Sequence, residues 1–338
     1  MMQRRAIALF TPTIHDMMDI AGMADDAGFD SVWNGEFFNR NGLVTLAAVA
    51  LSTRRAKIAT GIAYAYMRNP VLNATGAMDL DELSDGRMIL GLGSGTKSMN
   101  EGWYGQPFEP RSAAKMKECL ALLRKIWASH KGPGVRFDGE FYHINIPAFV
   151  RPRAVRDRIP IYLAAVQKGM LRTAGEVADG LVGHPLYSRK YLSEFIKPNL
   201  EIGAKRVGRS LTDIDITTLL ITAISHDREQ AIQDAKNQIA FYASVRSYEG
   251  ILNLHGWERQ KLAIWEHFKT FNLAKMAEAV TDDMVEQIAL AGTPDECREQ
   301  LAKWEGLIDL PILYTPTAGV RAERVMENHR LIVETFAR

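Results

Sequence analysis

Cysteine is nearly missing from this sequence: Cys119 and Cys297 are the two among 338 residues. Far apart and each in a helical pattern, they exclude a disulfide-built scaffold and fit a reducing cytoplasm. No apolar run approaches the roughly 20 residues that a membrane-spanning helix needs. The apolar stretch that opens at Ala6 is too short for a secretory leader. A charge bias is also lacking: 41 Lys and Arg stand against 40 Asp and Glu, a formal net charge of +1 with no long basic run. A nucleic-acid partner is therefore not expected. There is no H-x-x-H, no H-E-x-x-H and no Cys/His cluster, so no metal centre is expected. Without a G-x-S-x-G elbow, hydrolysis by an activated serine is not expected either. Repeats and low-complexity tracts are absent, which excludes a solenoid.

What is present is an alternation of short apolar runs with longer helical periodicity. Strands are expected at Ala6–Phe10, Ser31–Trp33, Lys57–Ala63, Met88–Leu92, Pro160–Ala164, Leu181–Val182, Asp215–Ile221 and Leu310–Tyr314. Helical patterns separate them: one from Ile14 to Gly28, another beginning at Pro70, where a missing N–H costs nothing, and a closing one at Ala322–Phe336. Parallel strands need crossovers, and eight βα units close a TIM barrel. The expected fold is α/β, a (β/α)8 TIM barrel in one domain over 1–338, with an open doubly wound sheet as the rival. Two stretches exceed a simple crossover, at about 97–155 and 246–290. The first holds a loop at Glu101–Pro110, a helix at Ser112–Ala128 and a hairpin at Val135–Ile146; the second reads as a helical insertion before the eighth strand.

In such a barrel the chemistry sits at the C-terminal strand ends, which selects the residues to weigh. Glu36 follows the second strand with Phe37 and Phe38 beside it, either a carboxylate at a ring site or a solvated loop acid. Gly61 interrupts the third strand, as at a bulge or a close ligand approach, and Asn69 before Pro70 reads as a helix cap. Gly91-Leu92-Gly93-Ser94-Gly95 follows the G-x-G-x-G spacing and lies at the fourth strand, so the dinucleotide fingerprint fails. Its glycines would let the backbone lie against a flat group. Gln167-Lys168-Gly169-Met170 runs from the fifth strand straight into a helix, which makes either an ordinary turn or a phosphate site. His184 is the histidine placed at a strand end, after the sixth, and is either structural or a contact to cofactor or substrate.

Several of these segments resemble the bacterial luciferase-like superfamily: Gly28-Phe29-Asp30-Ser31-Val32-Trp33, Arg68-Asn69-Pro70, Gly86-Arg87-Met88 through Gly95, Pro160-Ile161-Tyr162-Leu163-Ala164-Ala165, and Ala291-Gly292-Thr293-Pro294-Asp295-Glu296. Within it the chain looks closest to the methylenetetrahydromethanopterin reductases, which use coenzyme F420. The resemblance implies a flavin or deazaflavin ring at the barrel mouth. It implies a cis peptide at Gly61–Ile62 against one ring face, Gly93, Ser94 and Gly95 beside the polar edge, and the cofactor phosphate at Gln167, Lys168, Gly169 and Met170. Three departures stand out: Ala8 replaces a first-strand glutamate, Glu36-Phe37 an Asp-His pair, and Gln167-Lys168-Gly169 a Gly-Pro-Lys turn. The implied activity is hydride exchange between coenzyme F420 and a small organic substrate, with Glu36 or His184 moving the proton. An FMN-dependent monooxygenase and a flavin-binding barrel without turnover are the alternatives. The implied assembly is a homo-oligomer, dimer or tetramer.

Overall fold

The computed structural model describes residues 4–337. Twelve strands run in chain order: β1 (Ala6–Leu9), β2 (Ser31–Asn34), β3 (Lys57–Thr60), β4 (Ala63–Tyr64), β5 (Met88–Gly93) and β6 (Val135–Asp138), then β7 (His143–Ile146), β8 (Ile161–Ala164), β9 (Gly180–Gly183), β10 (Asp215–Ile224), β11 (Leu290–Gly292) and β12 (Leu310–Tyr314). Helices separate most of them, while β3 leads straight into β4, and β6, β7 and β8 follow one another with no helix between.

Two compact units emerge from the contacts. One contains Ser31–Val182 and Asn199–Asp215. In it β2, β3, β5, β8 and β9 form consecutive parallel pairs, and β4 adds a second pairing to β5. The other contains residues 4–30, Gly183–Pro198 and residues 216–337. Its parallel pairs are β1 with β12, β12 with β10, and the far end of β10 with β11. Strands such as Ala6-Ile7-Ala8-Leu9 are buried on both faces, as parallel strands under helices must be, and this explains their unbroken apolar character.

Local chemistry fixes the helix starts. Thr13 and Asp16 form a reciprocal capping box, and the Asn69 side chain accepts from Val71 N (2.8 Å) ahead of Pro70, as its position suggests. The helix Ser112–Ala128 packs against Pro70–Leu83 and Lys168–Val177, so it serves as the crossover between β5 and β8. The hairpin β6–β7 is the added piece. Residues 246–288 form four short helices and a 3-10 turn, as a helical insertion should. Beyond it lies a βα unit that periodicity does not reveal: β11 and the helix Pro294–Ala302. Thr293 caps that helix, Pro294 opens it, and Glu296 closes the capping box, which accounts for the Gly-Thr-Pro-Asp-Glu run.

Candidate active site

The third strand is not continuous over Lys57–Ala63. It stops at Thr60, turns through a cis peptide between Gly61 and Ile62, and resumes as β4. Glu36 holds this turn from two directions. Its backbone N–H donates to Ile62 O (3.0 Å), and its carboxylate Oε2 accepts from Tyr64 N (3.1 Å). The second carboxylate oxygen pairs with the Arg68 guanidinium. Arg68 also donates to Asn73 Oδ1 (3.1 Å), and the Asn73 amide reaches back to Tyr64 O (3.4 Å), which closes a ring of polar groups. Only 8% of the Glu36 side chain and 18% of the Arg68 side chain reach solvent, so this is a substantially desolvated ion pair. Arg68 and Asn73 lie 32 and 37 residues beyond Glu36, and no local pattern announces their partnership.

The glycine-rich run has two separate causes. At Gly91 a Cβ would lie 1.9 Å from Thr60 O, and at Gly93 one would lie 2.0 Å from Ile62 Cδ1, so both glycines admit the broken third strand. Gly95 differs: its φ of 67° favours glycine, and it sits under Asn100, whose amide donates to Ser94 O (2.9 Å) and Thr96 O (2.8 Å). Asn100 opens onto a π-helical turn, Met99–Trp103, inside what reads as loop. Two of its neighbours complete the picture. Trp103 packs with Phe37 and Phe38, and Tyr104 packs on Tyr64 at 5.6 Å between ring centroids.

At the turn after β8, Gln167 is the N-cap of the helix Lys168–Val177 and offers no side-chain cap. The backbone N–H groups of Lys168, Gly169 and Met170, at the first three helical positions, have no protein acceptor among the described residues. Three unpaired donors beside one lysine fit a phosphate in charge and in hydrogen-bond supply.

The other unit holds His184 after β9. Its Nδ1 accepts from Leu186 N (3.1 Å), which leaves the proton on Nε2. The ring packs on Tyr248 at 3.9 Å and edge-on against Tyr242 at 4.8 Å. Burial with no carboxylate partner pushes the imidazole down to about 3, so it is neutral across the physiological range. The Tyr242 and Tyr314 hydroxyls share a hydrogen bond of 3.0 Å, and Tyr314 meets Phe10 edge-on. Periodicity does not reveal these tyrosines, because Tyr242 reaches the ring from the helix Arg228–Ala243 and Tyr248 from the turn Arg246–Tyr248 that opens the insertion. Tyr66 is committed elsewhere, its hydroxyl donating to Ser112 O at 2.5 Å.

Comparisons with known proteins agree with this architecture. The luciferase-like monooxygenase family profile matches residues 2–309. An uncharacterized protein of Mycobacterium tuberculosis is 34% identical over 312 residues, 87% of this chain and 88% of its own length. The 5,10-methylenetetrahydromethanopterin reductase of Methanopyrus kandleri is 31% identical over 288 residues, 81% and 80% of the two chains. A solved structure of the coenzyme F420-dependent tetrahydromethanopterin reductase from that organism superposes with a TM-score of 0.85 at 25% identity, covering 98% of each chain. The fold is therefore a (β/α)8 TIM barrel of luciferase-like type. By this match along nearly its whole length, the chain belongs to the luciferase-like monooxygenase family.

Proposed function

We propose that this protein is a coenzyme F420-dependent oxidoreductase that transfers a hydride between the deazaflavin and a small organic substrate. The observation that carries this reading is the end-to-end likeness to the F420-dependent reductase of M. kandleri. The three unpaired amides at Lys168–Met170 support it, since a phosphate-bearing cofactor needs such a seat.

In this reading Gly61 and Ile62 back one face of the cofactor ring, Gly93, Ser94 and Gly95 line its edge, and Gln167, Lys168, Gly169 and Met170 hold its phosphate. The cofactor, when bound, supplies or accepts the hydride. The protein's task is position and the proton: a carbonyl carbon gains hydride while its oxygen gains H⁺, and oxidation of the alcohol runs both transfers in reverse. His184 presents a neutral Nε2–H, suited to hydrogen-bond the substrate oxygen without a resident charge, while the proton itself comes from water. Glu36 places its charge beside the ring seat and locks the Gly61–Tyr64 turn through its two contacts there. The substrate differs from that of the methanopterin reductases, because Ala8 has no carboxylate to offer and Phe37 has no imidazole.

Turnover tests this directly. Under anaerobic conditions the protein is expected to bleach or restore the F420 absorbance when a substrate pair is supplied, with one equivalent of substrate changed per cofactor. Oxygen uptake with reduced FMN and none of this F420 turnover would instead make the protein a monooxygenase. Cofactor retention without turnover on any hydride acceptor would make it a binding barrel.

A further inference from the structure

The turn that follows β3 has a polar hold in Glu36 and a second, apolar one in Trp33. Trp33 is fully buried in β2, and a Cβ at Gly61 would lie 3.2 Å from its Cε3. The three atoms nearest to that position all belong to Trp33. A Cβ at Gly91 would lie 3.4 Å from Trp33 Cζ3, so the six-membered ring of the indole fills the space beside both glycines. The backbone of β2 reaches the same turn, since Gly61 N donates to Asn34 O (2.6 Å), one residue beyond Trp33.

The indole is itself fixed from two sides. Ser31, two residues earlier and therefore on the same face of the strand, accepts from Trp33 Nε1 at 2.9 Å. Tyr162 of β8 packs against the ring with centroids 5.8 Å apart. In the sequence of pairs β2–β3, β3–β5 and β5–β8, a flat sheet would hold β2 and β8 about 14 Å apart, three spacings of ~4.8 Å. The contact therefore belongs to the concave face of a curved sheet. The Tyr162 hydroxyl donates to Asp215 Oδ2 (2.5 Å), and a Cβ at Gly180 would lie 2.6 Å from Tyr162 Cε2. Rings packed this closely pass a displacement on to their neighbours instead of absorbing it.

Resting on the oxidoreductase reading above, we infer that Trp33 is a positioning residue for the cofactor ring. Fully buried, it touches no ligand; it sets where the Gly61–Ile62 backbone stands, and that backbone meets one face of the ring. Ser31 and Tyr162, the latter tied to Asp215, hold the indole in place for this task. A core tryptophan without this link stabilises the fold alone, and Trp127 supplies that comparison. It is equally buried in the helix Ser112–Ala128, and its Nε1 donates to Ala74 O (3.0 Å) of the helix Pro70–Leu83.

Protein labelled with fluorotryptophan gives one fluorine NMR resonance for each of its six tryptophans, and Trp33→Phe and Trp127→Phe identify two of them by their loss. Titration with F420 or FMN is expected to shift the Trp33 resonance and leave that of Trp127 in place. Trp33→Phe is expected to weaken cofactor binding about tenfold, and Trp127→Phe to stay within about twofold of wild type. Tyr162→Phe, which removes only the hydroxyl, is expected to move the Trp33 resonance in the free protein and to weaken binding about threefold. Should Trp33→Phe fail to fold, Ser31→Ala takes its place: it identifies the resonance by removing the indole's acceptor, with about the same threefold loss expected. The inference fails if bound cofactor leaves the Trp33 resonance unmoved, or if Trp33→Phe and Trp127→Phe weaken binding alike. It also fails if Trp33→Phe, or Ser31→Ala in its place, binds as wild type does, or if Tyr162→Phe changes neither resonance nor binding. Failure of both cofactors to bind wild type overturns the oxidoreductase reading and this inference with it, whereas binding that ignores Trp33 overturns this inference alone.

Discussion

Glu36 and His184 each follow a buried parallel strand, and each carries a titratable group, yet their surroundings are opposite. Around Glu36 the protein assembles charge: a carboxylate, a guanidinium, two backbone donors and an amide, all satisfying one another. Around His184 it removes charge, packing the imidazole against Tyr242 and Tyr248 with no acidic partner. The first arrangement buys a fixed backbone, because an ion pair this shielded is stable only in one geometry. The second keeps a neutral donor whose protonation does not drift with pH. One surrounding fixes a backbone turn, and the other keeps an imidazole neutral.

The largest effect should come from breaking the ion pair on one side. Arg68→Met leaves Glu36 as an uncompensated, shielded carboxylate and should cost about 3 kcal/mol in thermal or urea unfolding. Glu36→Gln/Arg68→Met should recover part of that loss, since no charge is then stranded. Equal destabilisation by the double and the single variant would mean that the pair is not what holds the turn.

The insulated site makes a smaller, pH-dependent prediction. The unfolded imidazole protonates near 6.5 and the folded one only near 3, so between those values the unfolded state binds more protons. Stability must therefore rise with pH across that window and fall as the solution is acidified. His184→Phe should remove about 2 kcal/mol of the loss that wild type suffers between pH 6.5 and pH 5. His329, buried and pushed down to about 4, contributes a similar slope of its own and should persist in the variant. An acid limb unchanged by His184→Phe would show that His184 ionises freely.

At the helix start, backbone donors should outweigh the lysine. Gly169→Pro deletes one of the three amides at a helical position that tolerates proline, and should weaken cofactor binding by about tenfold. Lys168→Ala should weaken it only a few-fold, because that charge is exposed to screening. The reverse order, read by fluorescence titration, would place the phosphate against the side chain. The smallest effect is expected at Tyr66→Phe: about 1 kcal/mol from the bond to Ser112 O, with turnover unchanged.

Much of the architecture was legible where chemistry is local. Gly28 and Gly86 lie at helix ends with positive φ, Asn69-Pro70 caps as its order suggests, and unbroken apolar strands announce burial on both faces. Legibility failed where the cause is distant. The break at Gly61 depends on Glu36 and on glycines 30 and 32 residues further on, and the partners of His184 come from the helix Arg228–Ala243 and the turn after it. The short β11 and its helix were hidden because three residues carry no period, although the capping chemistry of Thr293 and Glu296 stood in plain view. For the candidate site the family resemblance pointed to the strand-end glycines and the turn at Gln167–Met170 as the residues to weigh. It did not identify Arg68, Asn73 or Tyr104 as their partners, because hydrogen bonds between distant segments leave no spacing to read.

The central claim is that the strand ends seat a deazaflavin for hydride transfer. Its most direct test is a side-by-side titration of the purified protein with coenzyme F420 and with FMN, followed by anaerobic and aerobic turnover of whichever binds. The account predicts tighter binding of F420, with substrate-dependent absorbance change at an unaltered rate when oxygen is admitted. Tighter binding of FMN, with oxygen consumed in step with substrate, would contradict it.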